Sequence, residues 1–103
     1  MRKFKKYYTI KYNNVTLDVT QGEYIEGNRI ALMATIHETG EPYATLTTNI
    51  PAYNKDLGKK DIILDCNNIP GIDKALKEAG LIGKLVTKVQ SGFCVYPVYK
   101  YLG

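Results

Sequence analysis

The sequence has no tryptophan, one histidine (His37), one serine (Ser91), two methionines and two cysteines in 103 residues. Each shortage closes off a kind of chemistry. Cys66 and Cys94 belong to no CxxC pair, and with a single histidine they lack the ligand spacing of a structural zinc site. The start, MRKFKKYY, has no apolar core of a signal peptide, so both cysteines read as free thiols of a reducing cytoplasm. No run approaches the ~20 apolar residues that cross a bilayer, which argues against membrane insertion. Neither GxxxxGK[ST] nor GxGxxG occurs. The nearest pattern, Gly80-Leu81-Ile82-Gly83-Lys84, follows a helix signal instead of preceding one.

Catalytic constellations are equally scarce. A serine nucleophile would have to be Ser91 served by His37, and a thiolate pair would have to be Cys94 with His37; nothing in the spacing forces either together. Glu38 and Glu41 flank one turn. Asp61 and Asp65 share a strand face about 13 Å apart at ~3.3 Å per residue, too far for one metal. The expectation is a protein that is not an enzyme, with no cofactor and no metal.

What the chain does have is a pattern of charge. Its formal net charge is +4, but Arg2, Lys3, Lys5, Lys6 and Lys11 all precede the first acid, Asp18. Only Lys84, Lys88 and Lys100 follow the last acid, Glu78. The middle holds all ten acids. Six of the nine tyrosines (Tyr7, Tyr8, Tyr12, Tyr96, Tyr99 and Tyr101) fall in the two basic ends. Rings flanked by cations suit single-stranded nucleic acid, where bases stack and lysines track phosphates. They equally suit an acidic protein surface, or simply an edge strand made soluble. The candidate binding residues are Lys3, Lys5, Lys6, Tyr8, Lys11, Tyr99, Lys100 and Tyr101.

With 45% apolar and 23% charged residues, the chain is too apolar to be disordered. Phe4 to Tyr12 and Val15 to Thr20 alternate around Asn13-Asn14, predicting a hairpin. Residues 21–28 read as a connection. Arg29 to His37 and Tyr43 to Ile50 form a second hairpin around Gly40 and Pro42. A loop over 51–60 leads to a short strand, Asp61 to Asp65. Asn68 as cap, Pro70 in the first turn and Gly80 past the end predict a helix of about three turns. Lys84 to Val89 and Phe93 to Tyr101 read as strands about Ser91-Gly92, with Pro97 arguing for a sheet edge or a break near Tyr96. The expected architecture is a single α+β domain: an antiparallel, twisted sheet of five to six strands with one short helix packed on it.

The stretches Arg29-Ile30-Ala31-Leu32 and Gly40-Glu41-Pro42-Tyr43-Ala44-Thr45-Leu46-Thr47-Thr48-Asn49-Ile50-Pro51 resemble a family of small proteins of unknown function. That family comes from phages, plasmids and conjugative elements of low-GC bacteria. Asp61 to Asp65, Leu76-Lys77-Glu78-Ala79-Gly80, and Gly92-Phe93 with Pro97 resemble its later segments. The likeness covers residues 29–98 and leaves the basic N-terminal hairpin outside. A similar member is associated with inhibition of a type II CRISPR effector nuclease. The resemblance therefore implies an anti-defence protein in the bacterial host cytoplasm. It would inhibit a type II-A CRISPR effector nuclease by binding, without catalysis. Inhibitors that mimic a phosphate backbone are acidic and this chain is basic, so the implied contact is guide RNA, target DNA or an acidic protein surface. The alternative is a small nucleic-acid-binding accessory protein using its basic, tyrosine-rich terminal strands.

Overall fold

Asn13 and Asn14 both take left-handed backbone angles (φ 47° and 65°), the combination that a two-residue type I′ hairpin turn requires and asparagine tolerates. They join β1 (Lys6–Tyr12) to β2 (Val15–Glu23) in a continuous antiparallel register from Lys6 opposite Gln21 to Tyr12 opposite Val15. The structure is a computed structural model that describes residues 6–103, with side chains from Tyr8 onward. Lys3 and Lys5 lie outside the described residues, and Lys6 is described as a strand backbone position only.

β3 (Ile30–Ile36) pairs with β2, and β4 (Pro42–Thr45) pairs with β3, completing a four-stranded meander. The second sheet contains β5 (Asp61–Ile63), β6 (Ile82–Ser91) and β7 (Cys94–Tyr101) in the order β5-β7-β6, again antiparallel. The class is α+β with antiparallel pairing, and the seven strands among the described residues are shared between two sheets. Residues 46–48 stitch them together. Leu46 donates its N–H to the Leu32 carbonyl and accepts from the Asp65 N–H, while the Thr48 N–H donates to Ile63. Thr47 and Leu64 form an isolated bridge between the sheets. The stretch 43–50, which reads as one strand, thus pairs first with β3 and then with β5.

The helix α1 (Ile72–Glu78) is two turns long, shorter than its flanking signals suggest. Asn68 does not cap it. Its amide nitrogen and side chain both go to the Asp65 carboxylate, closing a turn before Pro70, and Gly71 (φ 81°) stands at the helix start. The far end follows the sequence signal. Gly80 is left-handed (φ 74°), its N–H reaches the Lys77 carbonyl, and the Leu81 N–H reaches Leu76, the paired bonds of a Schellman motif.

The helix packs against β1 and β6, the outer strands of the two sheets. The meander, the 46–48 stitch and the second sheet therefore form an arc, and α1 fills its opening. Ile10, Leu17, Leu32, Leu46, Ile62, Ile72, Leu76 and Tyr101 meet in one core drawn from every part of that arc. A smaller cluster of Ile63, Val89 and Val98 lies on the opposite face of the second sheet, covered by Ile50, Tyr53, Leu57 and Tyr96. No helix among the described residues is long and apolar enough to cross a membrane.

Pro97 corrects the expectation of a sheet edge. It sits in β7, the middle strand, opposite Lys88. Its carbonyl accepts from the Leu64 N–H on the β5 side, just past the end of β5. The N–H that proline lacks would point to the same side, at the Leu64 carbonyl, so the central strand gives up one bond of that pair and keeps the other.

Candidate functional site

The residues singled out at the chain ends separate into two groups. Tyr99 and Tyr101 are buried. This corrects the expectation that their rings present a stacking platform: both sit on the central strand and pack into the main core. The Tyr99 hydroxyl donates to Asp73 Oδ2 at 3.0 Å, and burial together with Asp73 pushes its pKa up to about 12. Lys77 lies over the Tyr99 ring and Lys60 over that of Tyr101. Burial, with the neighbouring Tyr8, also raises the Tyr101 hydroxyl well above its ordinary value. Tyr8 is half-buried against the same core. The first and last strands do meet, but inside the molecule.

The lysines fare differently. Lys11 is exposed on the outer face of β1. Lys100 is held by the buried Asp61, Nζ to Oδ1 2.9 Å. Burial alone would raise the Asp61 carboxyl, but the bonds from Lys100 and the Gly58 N–H, with the charges of Lys100 and Arg29, hold it below the ordinary aspartate value.

A surface that the sequence reading passed over lies on the β6–β7 hairpin. Lys84, Leu85, Val86, Thr87 and Lys88 are exposed in succession. Alternate strand side chains point to opposite faces, so five in a row leave neither face of β6 covered. Phe93, at the tip beside left-handed Gly92 (φ 62°), is fully exposed. Of the seven large apolar side chains exposed among the described residues, Leu85, Val86, Phe93 and Val95 are all here. Leu85 and Val95 line one cleft, and apolar side chains gathered in this way, unlike scattered ones, mark a surface that works by contact.

The hairpin is held at specific points and open elsewhere. Tyr53 meets it at Gln90, its hydroxyl donating to the carbonyl at 2.9 Å and lying 3.4 Å from the amide nitrogen. Asn67 Nδ2 donates to the Val95 carbonyl at 3.2 Å. Between the hairpin and the segment leading into α1 lies a shallow cleft of about 470 Å³, lined by Leu85, Lys88, Val95 and Pro97 with Cys66 and Asp73. Burial, then Asp73, raises the Cys66 thiol, which makes it a poor nucleophile at neutral pH. Lys84 and Lys88 form no ion pair among the described residues. The signal for this surface was present: adjacent Leu85 and Val86 break the polar–apolar alternation of a half-buried strand, in a tail without acids.

The other candidates stay apart. His37 follows β3 in the first sheet, its Nδ1 2.9 Å from Asp18 Oδ1 on the surface, whereas Cys94 opens β7 in the second. Both cysteines are free thiols. No group of three His, Cys, Asp or Glu side chains that could hold a metal occurs among the described residues.

The profile of a family described as a domain of unknown function (DUF4313) matches residues 16–102. That span begins inside β2 and takes in the whole β6–β7 hairpin, while Lys3, Lys5, Lys6, Tyr8 and Lys11 fall outside it. No curated protein and no solved structure matches the chain.

Proposed function

The chain belongs to the DUF4313 family of domains of unknown function, and from that premise we propose that it is a non-catalytic binding protein that docks an acidic partner protein on its β6–β7 hairpin. One observation carries this reading: the uncovered run from Lys84 to Lys88 beside exposed Phe93 and Val95. Interface centres are apolar with aromatic anchors, and a rim of lysine selects an acidic counterpart. Phe93 supplies one exposed ring, but aliphatic Leu85, Val86 and Val95 offer nothing for a base to stack on, which favours protein over nucleic acid.

The partner implied by the resemblance over residues 29–98 is a type II-A CRISPR effector nuclease, with the chain acting as an inhibitor that blocks by occupancy. DNA cleavage by the guide-loaded nuclease, measured with the protein in excess, tests it. Cleavage is expected to fall, and Phe93→Ala combined with Val95→Ser is expected to weaken inhibition about tenfold or more, as loss of a central anchor does. Undiminished cleavage in excess protein rejects that nuclease as the partner. Labelled single-stranded oligonucleotides provide the contrast: affinity that falls steeply with salt would assign the lysines to phosphates instead.

A further inference from the structure

We propose that the cleft between the β6–β7 hairpin and α1 is the anchor pocket of the docking surface. It takes one aliphatic side chain of an acidic partner segment, with a neighbouring carboxylate of that segment set on Lys88. This rests on the hairpin being the docking surface and specifies what that surface holds.

Irregular pairing builds the cleft. Ile82 lies opposite Tyr101, Leu85 opposite Tyr99 and Lys88 opposite Pro97, so each step of three residues on β6 matches a step of two on β7. In a regular strand residues 82, 85 and 88 would alternate between the two faces. Each of the two register shifts supplies the extra residue of a β-bulge, which re-aims the side chains that follow. Residues directly opposite one another share a face, so Ile82, Leu85 and Lys88 all come to the face of Tyr99 and Tyr101. On that face Ile82, Tyr99 and Tyr101 are buried in the main core with Ile72 and Leu76 of α1. Leu85 and Lys88 continue the same row but are exposed, and Val95 and Pro97 lie beside them in the cleft, with Cys66 and Asp73 on its other side. The cleft is therefore an unroofed end of the core, an apolar row finished by an ammonium group.

Charge selects the occupant. Lys88 forms no ion pair among the described residues, and Lys77 Nζ stands 5.3 Å from the centre of the Tyr99 ring. Asp73 is the acid of the cleft, and its Oδ2 already takes the Tyr99 hydroxyl at 3.0 Å. An incoming carboxylate is drawn to the Lys88 side and turned away from Asp73, which fixes how the segment lies. A second copy suits the cleft less well. Its Phe93 would bring another Lys88 and no carboxylate, since no acid follows Glu78. Its exposed Ile25 has Glu26 beside it, but seating that loop is a head-to-tail contact, which builds rings or filaments.

The probe is a short blocked peptide with one leucine between glutamates, compared with counterparts carrying alanine for the leucine or lysines for the glutamates. Methyl NMR of the full chain is expected to show Leu85 and Val95 shifting with the leucine–glutamate peptide. Cys66, which lines the cleft, serves as a second reporter: its alkylation by iodoacetamide should slow several-fold, while Cys94, outside the lining, keeps its rate. The alanine counterpart is expected to bind about tenfold more weakly, for the apolar surface it lacks. Lys88→Glu should weaken the glutamate peptide several-fold and strengthen the lysine peptide, an exchange of preference that mere loss of folding would not produce. Unshifted Leu85 and Val95 methyls, an unchanged Cys66 rate, or equal binding of the alanine or lysine counterpart each overturns the anchor pocket. A molar mass that rises with protein concentration, and falls when Ile25→Ser is introduced, assigns the cleft to a second copy and overturns it as well. In the nuclease assay, a Leu85→Trp chain, its cleft filled, that inhibits as strongly as the parent overturns the anchor pocket but leaves hairpin docking standing. Docking fails separately if the Phe93→Ala, Val95→Ser chain inhibits as strongly as the parent.

Discussion

Asp61 and Arg29 show how much a few buried polar side chains do here. Arg29 Nη2 donates to the carbonyls of Gly58 (2.6 Å) and Asp61 (2.7 Å), while Asp61 Oδ2 accepts the Gly58 N–H at 2.7 Å. Together they fasten the turn that starts β5, and Lys100, opposite Asp61 in the register, completes the pair from β7. Removing half-exposed Lys100 (Lys100→Ala) is expected to cost at most about 1 kcal/mol in urea unfolding, and Asp61→Ala about 2–3 kcal/mol because buried donors lose their acceptor. Since the folded carboxyl titrates below its unfolded value, its stabilisation is complete above the unfolded pKa and is lost as pH falls through the folded one. Asp61→Asn should therefore flatten the acid limb of the stability profile below about pH 4. Tyr99 acts at the other limb. Its neutral form is favoured in the fold, so its contribution is present below the unfolded tyrosine pKa of about 10 and is lost as pH rises toward about 12. Tyr99→Phe should reduce that alkaline loss and remove one late-titrating phenol from an absorbance titration.

At the scale of elements, turn chemistry was the most legible part of the sequence. Asn13-Asn14, Gly40, Gly80 and Gly92 all adopt the positive φ that their positions suggest. Gly80→Ala is expected to cost about 1 kcal/mol in thermal or urea unfolding, from the left-handed backbone it must adopt. Leu76→Ala, at the buried end of that helix, should cost about 2–5 kcal/mol. Pairing between distant strands was far less legible. Treating Pro97 as an edge marker exposed the whole of β7 on paper, and Tyr99 and Tyr101 with it. The physical reason lies elsewhere in the chain: Pro97 keeps its place between two strands through its carbonyl, which takes the Leu64 N–H. A local pattern cannot report a partner over thirty residues earlier. The candidate surface was hidden for the converse reason. Lys84 to Val89 reads simply as a strand, and it is the topology, which puts β6 outermost, that leaves Leu85 and Val86 uncovered.

For the molecule as a whole, residues 46–48 are where the two sheets are joined by backbone hydrogen bonds. Thr47 is buried there, its Oγ1 accepting from the Leu32 N–H at 3.1 Å and sharing a hydrogen bond with the Tyr24 hydroxyl at 2.9 Å. Thr47→Val keeps the shape but strands both partners, and a loss of about 2–3 kcal/mol in urea unfolding is expected. If the sheets unfold together, tyrosine fluorescence and circular dichroism will report one shared midpoint. The strand order has one further consequence, which concerns time. Every pairing in the first sheet joins neighbours along the chain, so β1 to β4 can zip up hairpin by hairpin. In the second, β7 is the last strand and occupies the middle place, so β5 has no strand partner within its sheet until the segment farthest along the chain has arrived. A nascent chain emerging from the ribosome would thus carry a finished meander with half its core still open to water, its final strand acting as the latch.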